Sequence, residues 1–488
     1  LPVPQLQSGG QRGAGPEGRA ARRHPRWSGD GDRLCRTLSV LRGGGGPPNQ
    51  GDSSGAAAAR PVQPHPPGGE RLGYLAHEGQ PAPRASPPCS RPARPRRSTL
   101  FPRPRRLPSR ATPPEHVRNR RAGTVREVAL AEVVRELVAN NGTEALQYGS
   151  GQGHPLLREQ ICEVMALEGI RANADDVIVT TGSQQALDLI SRIFIDPGDV
   201  VLVEAPSYVG ALGTFAQYQA SVVHVETDND GMVPAALAEA IKSVRATGRK
   251  IKFLYLIPNY QNPTGVMLSA IRRTEILEIC AKEEIFIVED NPYGLLGFDG
   301  PSPNSMRAQD SENVIYLGSF SKTIASGLRV GWALVPQSIK DKMVIASESS
   351  ILCPSNFTQL TISSYLKNQP WRDQIASFVD LYRVRRDAML ESLDAHFPKE
   401  ATWTRPGGGF YVWITLPPEI DTKAMVPKAI VAKVAYVPGI AFYADGFGSW
   451  QMRLSYCHPT PERIREGVKA LGAVVKKELS ARAGYQLK

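Results

Sequence analysis

From Val177 onward the chain alternates short, almost wholly apolar runs with stretches of helical periodicity, and this alternation restricts the fold more than any other feature. Strands are expected to begin at Val177 and to occupy 200–203, 222–225, 253–257, 285–288, 314–317 and 330–335. A strand that is apolar along its whole length has both faces covered, as in a parallel or mixed sheet with helices on each side. The expected fold class is α/β. The first unit reads as a strand, a turn at Gly182, and a helix carrying Leu187, Ile190, Ile193 and Phe194 that stops at Asp196-Pro197-Gly198. Such sheets bind ligands outside the carboxyl ends of their strands, so polar residues there are the first candidates for a site.

Longer helical patterns follow over 339–347, about 357–366 and 375–393. Residues 407–414, 434–439 and 452–456 then read as strands of a smaller α+β domain, closed by an amphipathic helix from Pro461 to about Leu479. Ahead of the sheet, Val128, Leu130, Val133, Val134, Leu137 and Val138 form a helical stripe that Asn140-Asn141-Gly142 is expected to stop.

Between the apolar runs 314–317 and 330–335 lies a polar loop too short for an ordinary helix, holding Ser319, Ser321, Lys322 and Arg329. A guanidinium binds a dianionic phosphate bidentately, and serine hydroxyls add neutral hydrogen bonds. An anion is also expected at the helix start, where the backbone N–H groups of Gly182 to Gln184 would point at it along the positive end of the helix dipole. Next to Arg329 and partly desolvated, the Lys322 amine is pushed toward its free base, the form that attacks a carbonyl. A nucleophilic lysine beside a phosphate cradle describes a site for pyridoxal 5′-phosphate. The plain alternative is a surface lysine in a connecting loop.

Ser319-Phe320-Ser321-Lys322 through Gly327-Leu328-Arg329 resembles the cofactor-lysine loop of the fold-type I, class I/II aminotransferases. Other segments are similar to motifs of that family: Gln147-Tyr148-Gly149, Tyr208 after Ala205-Pro206-Ser207, Asn262-Pro263-Thr264-Gly265, Asp290 with Tyr293, and Arg453. They stand in the family's order and at about its spacing, from about Val125 to the C-terminus, and look most like the 2-aminoadipate and kynurenine aminotransferase branch. The resemblance implies a large domain over 155–370 with a mostly parallel, seven-stranded type of sheet, and a small α+β domain from 122–154 and 371–488.

It also implies roles. Lys322 is the catalytic residue. Asp290 faces the cofactor's pyridine nitrogen, Tyr208 stacks on the ring, and Tyr293 and Asn262 reach its phenolic oxygen. Ser183, Gln184, Ser319, Ser321 and Arg329 serve the phosphate, together with Tyr148 from a partner subunit. Asn262 and Arg453 take the substrate carboxylate. The implied reaction is a two-half exchange between an amino acid and a 2-oxo acid, 2-oxoglutarate in the expected case, in a homodimer with shared active sites. Taken singly, several residues have blander readings: Asp290 as a helix cap, Asn262 as part of a turn, Tyr208 as core packing, and Arg453 as a solvated edge-strand cation.

Composition places the remaining boundaries. The net charge is +11, yet residues 1–121 hold 22 arginines, no lysine and 7 acidic residues, leaving the rest at −4. The basicity thus belongs to the leading segment, and no nucleic-acid partner is expected for the remainder. That segment also carries 21 of the 41 prolines and is expected to be disordered. Three origins stay open for it: a transit peptide, an anion-binding arm around Arg94 to Arg106, or GC-rich DNA translated upstream of a start or out of frame, which is the favoured reading. N-terminal sequencing of the native protein tests the last. The family's glycine-rich arm that covers substrate is not found there, which implies poor dimerisation or closure.

The six cysteines are scattered, with no metal-type spacing, and fit a reducing compartment. No apolar run is long enough to span a bilayer and no secretory signal is evident, so the expected address is cytoplasmic. Rival functions are another reaction of the same cofactor, such as β-elimination, a transcription regulator with an aminotransferase-like domain, or a crippled pseudo-enzyme. The regulator needs a helix-turn-helix pattern upstream, and 1–121 has none.

Overall fold

A computed structural model describes residues 121–486, with side chains from 127 to 482. The expectations placed on 1–120, among them disorder and the missing arm, lie outside the described residues.

The chain begins with α1 (Arg121–Ala145), α2 (Pro155–Ala166), β1 (Val177–Thr180) and α3 (Ser183–Phe194). Next come β2 (Val200–Ala205), α4 (Val209–Gln217), β3 (Ser221–Asp228), β4 (Gly231–Met232), α5 (Pro234–Ala246) and β5 (Ile251–Leu256). They are followed by α6 (Ala270–Lys282), β6 (Phe286–Asp290), α7 (Met306–Gln309), β7 (Val314–Ser319) and β8 (Gly331–Leu334). Three helices continue, α8 (Gln337–Ile351), α9 (Asn356–Asn368) and α10 (Trp371–His396). The last elements are β9 (Thr402–Trp403), β10 (Tyr411–Thr415), α11 (Thr422–Val431), β11 (Val437–Pro438), β12 (Gln451–Ser455) and α12 (Pro461–Gln486).

The larger sheet has the order β1-β8-β7-β6-β5-β2-β3-β4. Strands β7, β6, β5, β2 and β3 run parallel, while β8 is antiparallel to both of its neighbours. The eighth strand, beyond the seven expected, is β4, two residues that fold back on the end of β3. Alternation along the strands explains why they are apolar throughout. Val201, Val203, Phe253 and Tyr255 enter one core with α3 and α4, whereas Val200, Leu202, Leu254 and Leu256 enter another with α5 and α6. The smaller sheet, β11-β12-β10-β9, is antiparallel and packs on α10 and α12.

Some expected boundaries move. Helix α1 passes Asn140-Asn141-Gly142 with a kink at Asn141 (φ −131°, ψ 25°) and ends only at Ala145. Tertiary packing overrides the local stop, because Leu137 and Ala145 bury against Leu360 of α9. The strand expected over 434–439 shrinks to β11, since Pro438 has no N–H to extend the ladder and Gly439–Phe442 turns into a 3₁₀ helix. Arg453 lies on β12, an interior strand of its sheet, which removes the edge-strand reading. No described helix is long and apolar enough to cross a membrane.

Candidate active site

Residues after the carboxyl ends of β5, β6 and β7, with others from α3, α4, β10 and β12, line a cavity of about 280 Å³. The cavity gathers Ser183, Gln184, Tyr208, Asn262, Asp290 and Tyr293. It also gathers Ser319, Ser321, Lys322, Arg329 and Arg453. Of the residues singled out in the sequence, Tyr148 alone lies elsewhere, 79% exposed in the segment between α1 and α2.

The anion cradle comes from strand pairing. β8 lies between β7 and β1, with Gly331 opposite both Ser319 and Thr180, so the loop after β7 meets the start of α3. Arg329 adopts the left-handed conformation (φ 54°, ψ 43°), which costs a non-glycine residue about 1 kcal/mol. From there its Nη1 donates to Ser321 Oγ at 3.2 Å. A Cβ at Gly182 would fall 2.4 Å from Arg329 Nη2, so only glycine lets the guanidinium approach the helix start. No side chain caps α3, and its first N–H groups have no intrahelical acceptor. Ser319 Oγ, nearby, accepts from the Ser321 backbone N–H at 3.1 Å.

Burial lowers the pKa of Lys322. The Arg329 and Arg453 cations push the same way, while Cys457 and Asp290 pull it back. The shift is toward the free amine, for the reason expected from the sequence, desolvation beside a cation. Asp290 ends β6. Its Oδ2 accepts from the Tyr255 hydroxyl at 2.9 Å, and its Oδ1 is buried with no partner. Burial raises this carboxyl to about 6, against the pull of Tyr255 and Lys322. A buried oxygen without a donor is costly and is the place where a ligand N–H fits.

Arg453 Nη1 donates to Asn262 Oδ1 at 2.7 Å, which fixes the amide so that its Nδ2 hydrogens remain for another acceptor. The guanidinium lies 4.2 Å from the centre of the Tyr411 ring and 5.1 Å from that of Phe442. These rings hold its plane while leaving donors for a carboxylate. Tyr208 precedes α4, and its hydroxyl donates to Gln184 Oε1 at 3.3 Å. Tyr293 is buried edge-on to Tyr411, and burial first, then Tyr411 and Asp290, raises its pKa well above the usual value, so it is a neutral donor.

Two positions that contact the candidate residues, Tyr255 on Asp290 and Tyr411 on Arg453, were not visible in the sequence. Tyr255, inside an apolar strand, looks like core until β5 is placed beside β6. Tyr411 looks like one more strand aromatic until β12 brings Arg453 over it. The available signal was the hydroxyl tip of each ring, which needs a partner when buried.

An uncapped helix start with an arginine, a lysine whose pKa burial lowers, and a carboxyl with a free buried oxygen line one cavity. That donor set fits pyridoxal 5′-phosphate. Residues 118–471 match the protein family described as aminotransferase class I and II. The chain is 41% identical over 352 residues to aromatic-amino-acid aminotransferase 1 of Thermococcus litoralis, covering 72% of this chain and 84% of that protein. It is similar to the crystal structure of Pyrococcus horikoshii kynurenine aminotransferase in complex with PMP (TM-score 0.70, 39% identity, 72% of this chain and 88% of that one). It is also similar to LysN, the alpha-aminoadipate aminotransferase of Thermus thermophilus complexed with N-(5′-phosphopyridoxyl)-L-leucine (TM-score 0.69, 35% identity, 73% and 90% covered). The chain therefore belongs to the class I and II aminotransferases and is a pyridoxal phosphate-dependent transaminase.

Proposed function

We propose that this cavity moves the amino group of an L-amino acid to 2-oxoglutarate, with Lys322 as nucleophile and base. The observation that carries the reading is the shared cavity of Lys322, the half-paired Asp290 carboxyl and the Arg453–Asn262 pair. When bound, the cofactor supplies an aldehyde for amines and a ring that withdraws electrons from the substrate's α-carbon. Ser183, Gln184, Ser319, Ser321 and Arg329 would hold its phosphate, and Asp290 would keep its ring nitrogen protonated. Tyr208 would cover the ring, and Tyr293 and Asn262 would donate to its phenolic oxygen. Arg453 orients the substrate carboxylate so that the α-hydrogen faces Lys322 Nζ, which takes that proton. The test is purified protein with the cofactor, 2-oxoglutarate and a panel of aromatic, aliphatic and acidic amino acids, reading glutamate. No glutamate from any donor refutes the proposal.

Arg453→Leu is expected to raise KM for the amino acid by about 100-fold through loss of a charged pair, while cofactor affinity changes little. Steady-state kinetics check this; an unchanged KM removes Arg453 from substrate binding.

We further propose a homodimer, with Tyr148 completing the partner's site. Its exposure outside its own cavity, among exposed Leu146 and Leu156, supports this reading. Sedimentation that gives a monomer at assay concentration refutes it.

A further inference from the structure

A buried chain of side-chain hydrogen bonds ties together the two loops that carry Asn262 and Asp290, and it ends on Glu168, in the turn after α2. Arg273 of α6 is wholly buried, and its Nη2 donates to Asn259 Oδ1 at 2.6 Å. Asn259 Nδ2 donates to Asn291 Oδ1 at 3.0 Å, and Asn291 Nδ2 donates to Glu168 Oε1 at 2.8 Å. Glu168 Oε2 meets the Tyr316 hydroxyl of β7. Asn259 stands three residues before Asn262, and Asn291 lies between Asp290 and Tyr293.

The chain runs one way. A guanidinium can only donate, so Asn259 must turn its oxygen to Arg273 and its nitrogen to Asn291. Asn291 must then accept with its oxygen and donate with its nitrogen, and an acceptor is required where the chain ends. Glu168 Oε1 is that acceptor. The backbone leaves room for it: a Cβ at Gly294, the residue after Tyr293, would fall 1.8 Å from Glu168 Oε1. Without Glu168, the buried Asn291 amide beside Asp290 loses its 2.8 Å charged acceptor and keeps only the Tyr316 hydroxyl, and the loop is driven to move.

We propose that Glu168 is a positioning residue for transamination, the terminus of a directional relay that fixes the 290–293 loop against the loop bearing Asn262. This rests on the roles given above to Asp290, Tyr293 and Asn262. Burial raises the Glu168 carboxyl to about 7; Tyr316 and Asn291 pull it down by hydrogen bonding, Glu289 of β6 adds to the rise, and Arg273 opposes it. Either form serves. The carboxylate accepts from Tyr316, the acid donates to it, and Oε1 accepts from Asn291 in both.

Glu168→Leu removes the acceptor at similar size, whereas Glu168→Gln mimics the acid, with an oxygen for Asn291 and an N–H for Tyr316. The two variants and the wild type are compared by absorbance titration with pyridoxal 5′-phosphate and by steady-state kinetics. Glu168→Leu is expected to weaken cofactor Kd and lower kcat by about 10- to 100-fold each, the cost of a misplaced site, with KM changed far less. Glu168→Gln is expected to restore both. Where Glu168→Leu does not fold, Asn259→Ala opens the same relay upstream and is expected to show the same split. A folded Glu168→Leu or Asn259→Ala with wild-type Kd and kcat, or a Gln variant no better than Leu, overturns the proposal. A wild type that forms no glutamate defeats the functional reading instead, while the Kd comparison still tests the relay.

Discussion

Replacing Lys322 by alanine is expected to abolish glutamate formation, with kcat lowered roughly 10⁴-fold or more, because nucleophile and proton carrier are lost together. Among the described residues lining the cavity, Lys322 is the only amine and no imidazole is present, so no other amine there can take over as nucleophile. The variant should still bind the cofactor, since Asp290 and the residues proposed to hold the phosphate are untouched. Borohydride reduction of the wild type, followed by peptide mapping, should leave the phosphopyridoxyl mass on Lys322. A mark on another residue, or unaltered turnover in the variant, would falsify the assignment.

Asp290→Asn is the second large effect, an expected fall in kcat of about 10²- to 10³-fold from loss of one preorganised charge. An asparagine can accept from Tyr255 with its oxygen, but it then presents an N–H where the unpaired carboxylate oxygen stood. The pH dependence has a defined sign. The Asp290 pKa is raised to about 6 in the ligand-free protein, above its ordinary 3.8. The stability it contributes is therefore complete below about pH 4 and lost as pH rises through about 6. A cationic partner for the carboxylate offsets that loss. The gain in melting temperature on adding the cofactor should thus be larger at pH 8 than at pH 5, and this difference should shrink in Asp290→Asn. Equal gains at both pH values in the wild type would speak against an ionised Asp290 facing the ring.

The sequence was most legible where polar residues interrupt apolar strands. Lys322, Asp290 and Asn262 stand at such breaks, and the sheet brings them to one cavity because parallel strands end on the same side. Arg453 was identifiable only by its likeness to a family motif, since nothing local distinguishes it from a surface strand cation. Tyr255 and Tyr411 were hidden because a buried aromatic gives the same pattern whether or not its hydroxyl has work to do. Strand order was likewise out of reach. The insertion of β8 antiparallel between β7 and β1 is a long-range pairing that no local periodicity reports. Local signals also overstate turns: Asn140-Asn141-Gly142 bends α1 without ending it, since Leu137 and Ala145 gain burial on α9.

The placement of Gly331 opposite both Ser319 and Thr180 has a consequence for how this protein can change. A two-residue slip of β8 would preserve every inward-facing side chain, yet displace Arg329 by about 7 Å. The ruler that separates the candidate anion cradle from Lys322 is hence a ladder of backbone bonds. Length variation should be least tolerated at the two short crossings beside Gly182 and Gly331, and most tolerated at the far rim of the same sheet.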